Sequence, residues 1–159
     1  MILAGAVCFS PRTGPRPRTS RILPHIQLDQ WPPEEITLEL VRRALDLPGV
    51  SPRESRLAGP AVHAIWIRDE LAGGPKSSFI DDHEFCHLHP PPAGGIHLTL
   101  PEEVRQQAID LGWAEPHLIA GHGLVSRHVV MLYAPRNQTE MEVVLALIGN
   151  SYTFARGVL

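Results

Sequence analysis

Between residues 33 and 47 the apolar positions recur at helical spacing. Ile36, Leu40, Val41, Ala44 and Leu45 fall on one stripe and Pro48-Gly49 ends the run, which predicts a helix with that stripe against a core. From Ala61 to Arg68 the composition turns β-branched and aromatic, as a strand requires, and Gly73-Gly74-Pro75 marks the turn region after it. Two further strands are predicted at about Phe79 to His89 and Ile96 to Leu100, joined through the Pro90 to Gly95 stretch as a hairpin. Pro101-Glu102-Glu103 opens a second helix, with proline just inside and acids in the first turn; Val104, Ala108 and Leu111 form its apolar side and Gly112 ends it. A strand from about His128 to Ala134 then leads through Pro135-Arg136-Asn137 into a last helix. That helix carries Thr139 and Glu142 at capping-box spacing, with Met141, Val144, Leu145, Ile148 and Tyr152 on one face and Gly157 at its end.

Period-two counting sharpens the hairpin. Cys86 and Leu88 fall on one face of the first strand, with Phe85, His87 and His89 on the other; in its partner Ile96, Leu98 and Leu100 oppose His97 and Thr99. If the apolar faces coincide, His87, His89 and His97 share the opposite face. The mixture of elements predicts an α+β fold, an antiparallel or mixed sheet packed against about three helices in a single layer. At 159 residues the chain suits one core. The domain is placed at residues 33–159, preceded by an extended Pro/Arg-rich arm over 1–32 in which Arg12, Arg16, Arg18 and Arg21 alternate with prolines. The apolar residues of Leu23-Pro24-His25-Ile26-Gln27-Leu28 suggest where the arm is tied down.

A formal net charge of −3 with scattered basic residues provides no field for a phosphate backbone, so nucleic acid is not an expected partner. Two cysteines, Cys8 and Cys86, make no disulfide framework, and a reducing cytoplasm is the expected location. The apolar start has no basic region before it and is too short to span a bilayer, so neither a signal peptide nor a membrane anchor is expected there; it reads as either a short strand or an irregular terminus.

Several blocks together resemble the fungal-luciferase-like domain family in order and approximate spacing. They are Leu23-Pro24-His25-Ile26-Gln27-Leu28, Glu84-Phe85-Cys86-His87-Leu88-His89-Pro90, Ile96-His97-Leu98-Thr99-Leu100-Pro101, Gly112-Trp113-Ala114-Glu115-Pro116-His117 and Tyr133-Ala134-Pro135-Arg136. They cover most of the chain, which looks like a short member of bacterial type. The resemblance implies oxidation of a hydroxylated, styryl-pyrone-like compound by molecular oxygen without flavin or nicotinamide, and no relation to the flavin-dependent bacterial luciferases. Light emission is not part of the expectation.

The residues suit such chemistry. An enol or phenol reacts with oxygen once deprotonated, because its anion supplies the electron that oxygen needs. A base and a dry pocket are the main requirements, and imidazole, with an unperturbed pKa of about 6.5, removes protons near neutrality. His87, His89 and His97 are the candidate catalytic residues. His25, Gln27, Glu84, His117 and Arg136 are candidate substrate contacts, Glu84 only if a bulge or strand end reverses its parity. No cofactor is expected, and the partners are a small-molecule substrate and molecular oxygen. The alternative is a transition metal such as zinc, iron or nickel held by His87, His89 and His97. No carboxylate follows the His87-Leu88-His89 pair at cupin-like spacing. A third reading is a small-molecule binding module without catalysis, and the plainest is a solvent-facing sheet surface whose histidines do no chemistry. Neither a phosphate-binding glycine loop nor a Gly-x-Ser-x-Gly elbow is present.

Overall fold

A computed structural model describes residues 8–158. Residues 1–7 of the apolar start, read as a short strand or an irregular terminus, lie outside the described residues.

Six strands form one antiparallel sheet: β1 (Val50–Ser55), β2 (Gly59–Ile67), β3 (Glu84–Leu88), β4 (Ile96–Thr99), β5 (Ala114–Pro116) and β6 (Val129–Leu132), in the order β1-β2-β3-β4-β6-β5. Three helices accompany it: α1 (Glu34–Leu45), α2 (Glu102–Asp110) and α3 (Gln138–Arg156). The fold is α+β. Helices α1 and α3 pack on each other and on the sheet, while α2 sits beside β5. The core lies between them, where Leu40, Ala44, Val144 and Ile148 meet Ile65, Leu88, Leu98 and Leu132, each at most 1% exposed. Buried aliphatics on both sides of this interface drive the layer together.

The helix ends follow elementary electrostatics. Helix α1 begins with Glu34 and Glu35 and finishes with Arg42 and Arg43, each set opposite in sign to the nearer end of the helix dipole. At α3 the cap differs from the expected Thr139 and Glu142 pair. Asn137 is the N-cap and its side chain accepts the Glu140 amide at 3.0 Å, while Gly157 closes the other end with φ 69°. The shift follows from Asn137 being extended and two residues earlier than Thr139, which leaves Thr139 inside the first turn.

The strand from about Phe79 to His89 is shorter than its composition predicts, because Lys76–Ser78 is a single 3-10 turn and pairing with β2 begins only at Glu84. Two strands escape the sequence pattern. β1 carries Pro52, Arg53 and Glu54 as an exposed stretch, and β5 is three residues long and ends in Pro116; both are edge strands, where proline is tolerated.

The face assignment of Phe85 is corrected. Ile65 pairs with Cys86 but Trp66 pairs with Glu84, so an irregularity in the ladder skips Phe85. Phe85 therefore joins the core at 0% exposure, and Glu84 turns to the opposite face.

The segment before α1 is tied to the sheet. The Arg12 amide donates to Leu111 O, the Trp113 indole donates to Ser10 O, and the Arg16 guanidinium donates to Ala114 O. An isolated antiparallel bridge pairs Thr19 with Gln27, so residues 20–26 form a loop over the face of the sheet away from the core.

Candidate active site

Facing residues cross that second face in one row. Glu115 on β5 pairs with Met131 on β6, Met131 with His97 on β4, His97 with His87 on β3, and His87 with Ala64 on β2. Residues directly opposite in an antiparallel sheet project to the same side, so the row sets two imidazoles and a carboxylate on one surface. His89 extends the group by one step, since its amide still bonds Gly95 O beyond the end of β3.

The loop from residues 20–26 covers the row and adds His25. His117, just past β5, adds a fifth imidazole: ring centroids lie 4.4 Å apart for His97 and His117, 5.0 Å for His25 and His117, and 4.8 Å for His87 and His97. His25, His87, His89, His97 and His117 all line a cavity of about 560 Å³, a size that suits a small organic molecule. The remaining wall is mostly aliphatic. Its mouth is formed by Leu23, Leu57 and Leu124, which are 54%, 55% and 74% exposed and come from three separate loops. A larger groove of about 1030 Å³ lies alongside and shares Ile80, Leu124 and Val125 with it, but its walls do not hold the histidine row.

The hydrogen bonds fix the direction of one chain of groups. His97 Nε2 lies 2.9 Å from His25 O, and a carbonyl can only accept, so Nε2 carries the proton. Burial, followed by the neighbouring imidazoles, pushes the His97 pKa well below the ordinary value, so the ring is neutral and Nδ1 is an acceptor. His87 Nε2, 2.9 Å away, must then donate to it. His87 Nδ1 faces Glu84 Oε1 at 2.7 Å, and one proton is shared between them. The ladder irregularity is what brings Glu84 here, with 0% of its surface exposed.

A second chain runs from the other end of the row. His25 Nε2 meets Glu115 Oε1 at 2.8 Å, Thr19 Oγ1 donates to the same oxygen at 2.6 Å, and the Tyr133 hydroxyl donates to Oε2 at 2.9 Å. Burial would raise the Glu115 pKa, but the bonds from His25, Thr19 and Tyr133 outweigh it and hold the group at about 2. Burial, and then neighbouring imidazoles, lowers His89 and His117 to about 4 each. At neutral pH His89, His97 and His117 are therefore uncharged, and the ionised Glu115 stands against the His25 ring.

Three candidate substrate contacts fall elsewhere, Glu84 first: it is fully buried, bonded to His87, and does not line the cavity. Gln27 is 1% exposed, accepts the Ala134 amide at 3.0 Å and donates to Asp29 O and Gln30 O, so its amide is consumed in bracing the N-terminal segment. Arg136 pairs with Glu140 and donates to Thr13 O at 2.7 Å. Neither lines the histidine cavity. Glu115, by contrast, had no role in the sequence reading. The signal was Glu115-Pro116-His117, an acid and a histidine two apart as on one strand face, and Pro116 disguised the strand.

Two overlapping groups could supply metal ligands, His25 with His97 and His117, and His87 with His89 and His97; in each, one ligand atom per residue lies within 4.8 Å of the others. Among the described residues, no helix is long and apolar enough to cross a membrane.

The family described as Luciferase domain matches residues 82–151, which contain β3, β4, β5 and β6 with most of α3. Proteins named luciferase from Armillaria gallica, Armillaria ostoyae and Armillaria mellea are each 27% identical over 154 residues, covering 87% of this chain and 58% of theirs. The chain thus spans less than two thirds of the length of these curated relatives. No solved structure matches it significantly. The matched region holds His87, His89, His97, Glu115 and His117, and the similarity to the Armillaria luciferases extends across most of the rest: the chain is similar to luciferase-domain proteins over the segment that carries the histidine row.

Proposed function

We propose that the chain is an enzyme acting on an enolic or phenolic, pyrone-like metabolite, with a neutral imidazole taking the acidic proton and molecular oxygen oxidising the anion without flavin or nicotinamide. The observation that carries this reading is the convergence of five imidazoles on one apolar-walled cavity, three of them with lowered proton affinity. The name luciferase on the Armillaria relatives supports an oxygen-consuming reaction. An apolar wall raises the reactivity of the anion by excluding water, and nearby N–H groups offset the charge as it develops.

Within this reading His87, His89 and His97 remain in the site together with His25 and His117, and Glu84 braces His87 without lining the cavity. Gln27 and Arg136 act on the scaffold instead. A metal-dependent enzyme is the second reading, favoured by the two histidine groups. Zinc bonded at its usual distance to tetrahedral nitrogens needs them roughly 3.3 Å apart. Both His97 nitrogens are already in hydrogen bonds, so a metal in either group costs one of those bonds.

Oxygen uptake by the purified chain, measured against a panel of enolic pyrones and phenols alongside elemental analysis, tests both. The expected result is uptake with an enolic substrate that survives chelation. Stoichiometric metal, and activity lost on its removal and restored by its return, transfers the conclusion to the metal reading. Absence of uptake across the panel overturns the oxidation.

A further inference from the structure

Of the five cavity imidazoles, two have both ring nitrogens committed. His87 is bonded to Glu84 and His97, and His97 to His87 and the His25 carbonyl. His117 uses Nδ1 to accept the Ile119 amide at 3.3 Å. Two of these cavity-lining histidines each keep one buried nitrogen without a partner among the described residues: His25 its Nδ1 and His89 its Nε2. A buried polar atom without a partner costs free energy unless a ligand or water completes it.

These two nitrogens differ in what stands behind them. The His25 ring has a carboxylate against its other nitrogen, and that carboxylate is itself fixed by Thr19 and Tyr133. An ionised carboxylate only accepts, so Nε2 of His25 must hold the ring proton and Nδ1 must hold the lone pair. If Nδ1 takes a second proton, the imidazolium lies against an anion already in place. His89 has no such partner, and protonating it sets a cation among other imidazoles.

We infer that Glu115 is a positioning residue that fixes His25 as the Nε2–H tautomer, making His25 Nδ1 the basic nitrogen that the cavity offers to the hydroxyl proton of an enolic or phenolic ligand. The inference deepens the proposed function and rests on its ligand class. It moves the proton-accepting role from the β3–β4 hairpin to the loop that covers it. His87 and His97 then serve as a fixed hydrogen-bonded row whose last N–H grips the His25 backbone.

Nitrogen-15 NMR of the histidine side chains, with phenol itself as the probe and oxygen excluded, tests the inference without requiring turnover. In the wild-type protein His25 is expected to show a protonated Nε2 and an unprotonated Nδ1, and saturating phenol should move the Nδ1 resonance. Glu115→Gln should change the His25 tautomer ratio about tenfold toward Nδ1–H, corresponding to one pK unit of lost preference, with backbone amide resonances outside the site unchanged. Should that variant fail to fold, Tyr133→Phe, which removes one donor to Glu115 and leaves the carboxylate a stronger acceptor for His25, should keep His25 as the Nε2–H tautomer, and a switch to Nδ1–H in that variant overturns the inference. A wild-type His25 carrying its proton on Nδ1 overturns the inference, as does phenol that moves only His89 or His117 or leaves His25 Nδ1 in place. A positive result here beside absent oxygen uptake would sink the oxidation alone and leave the His25 and Glu115 assignment standing.

Discussion

Adding a proton to His89, His97 or His117 places a cation where no carboxylate faces it directly, and this has a consequence for acid stability. Their folded pKa values lie below the ordinary 6.5, near 4 for His89 and His117 and well below 6.5 for His97. Between those values and 6.5 the unfolded chain binds more protons than the folded one, so stability rises with pH and is lost as pH falls. Glu115 works in the same direction at lower pH, since it is held at about 2 and its contribution disappears between 4.5 and that value. Denaturant unfolding at a series of pH values should therefore show stability level above about pH 7 and falling steadily from about 6.5 downward. His89→Leu, which removes one of the contributing imidazoles, should make the fall between 6.5 and 4 shallower. An unchanged slope in that variant would show that His89 is not held neutral.

Among the elements, α3 offers the cleanest separation of fold from site. Its N-cap Asn137 bonds the Glu140 amide and does not line the histidine cavity. Asn137→Ala should cost about 1 kcal/mol of unfolding free energy, measured by denaturant titration, and leave ligand binding unaltered. The helices and central strands were legible in the sequence because their apolar spacing is strong: Ile36 to Leu45 and Met141 to Tyr152 repeat at helical period, and β4 alternates without a break. What the pattern hid were the places where period fails. The skipped Phe85 in β3 reverses the faces of two residues, and nothing in Glu84-Phe85-Cys86 announces it. Edge strands β1 and β5 bury too little to show an alternation, and with β5 hidden, Glu115 could not be placed on the histidine face. Arg136 and Gln27 stand in the sequence as candidate ligand contacts because the partners that occupy them, Glu140, Thr13 and the Ala134 amide, come from tertiary contacts that no local pattern shows.

At the scale of the molecule the site is assembled from distant chain segments. His25 comes from the N-terminal segment, His87 and His97 from the central hairpin, and Glu115 and His117 from the far edge of the sheet. A single residue joins them, since His25 accepts from His97 through its backbone and meets Glu115 through its ring. Thr19→Val should remove one of the three bonds to Glu115 and destabilise the fold by about 1.5 kcal/mol, the typical worth of a bond to a charged group, as read in thermal or denaturant unfolding. The leucines at the entrance extend the argument outward. Leu23, Leu57 and Leu124 expose over half of their surface to water, so a polar fragment would leave them wet and gain nothing from them, whereas a molecule trailing a hydrocarbon tail would dry all three as it seats its hydroxyl within. Lengthening such a tail should tighten binding about fourfold for each methylene sheltered, until the tail outgrows the collar and further carbons add nothing.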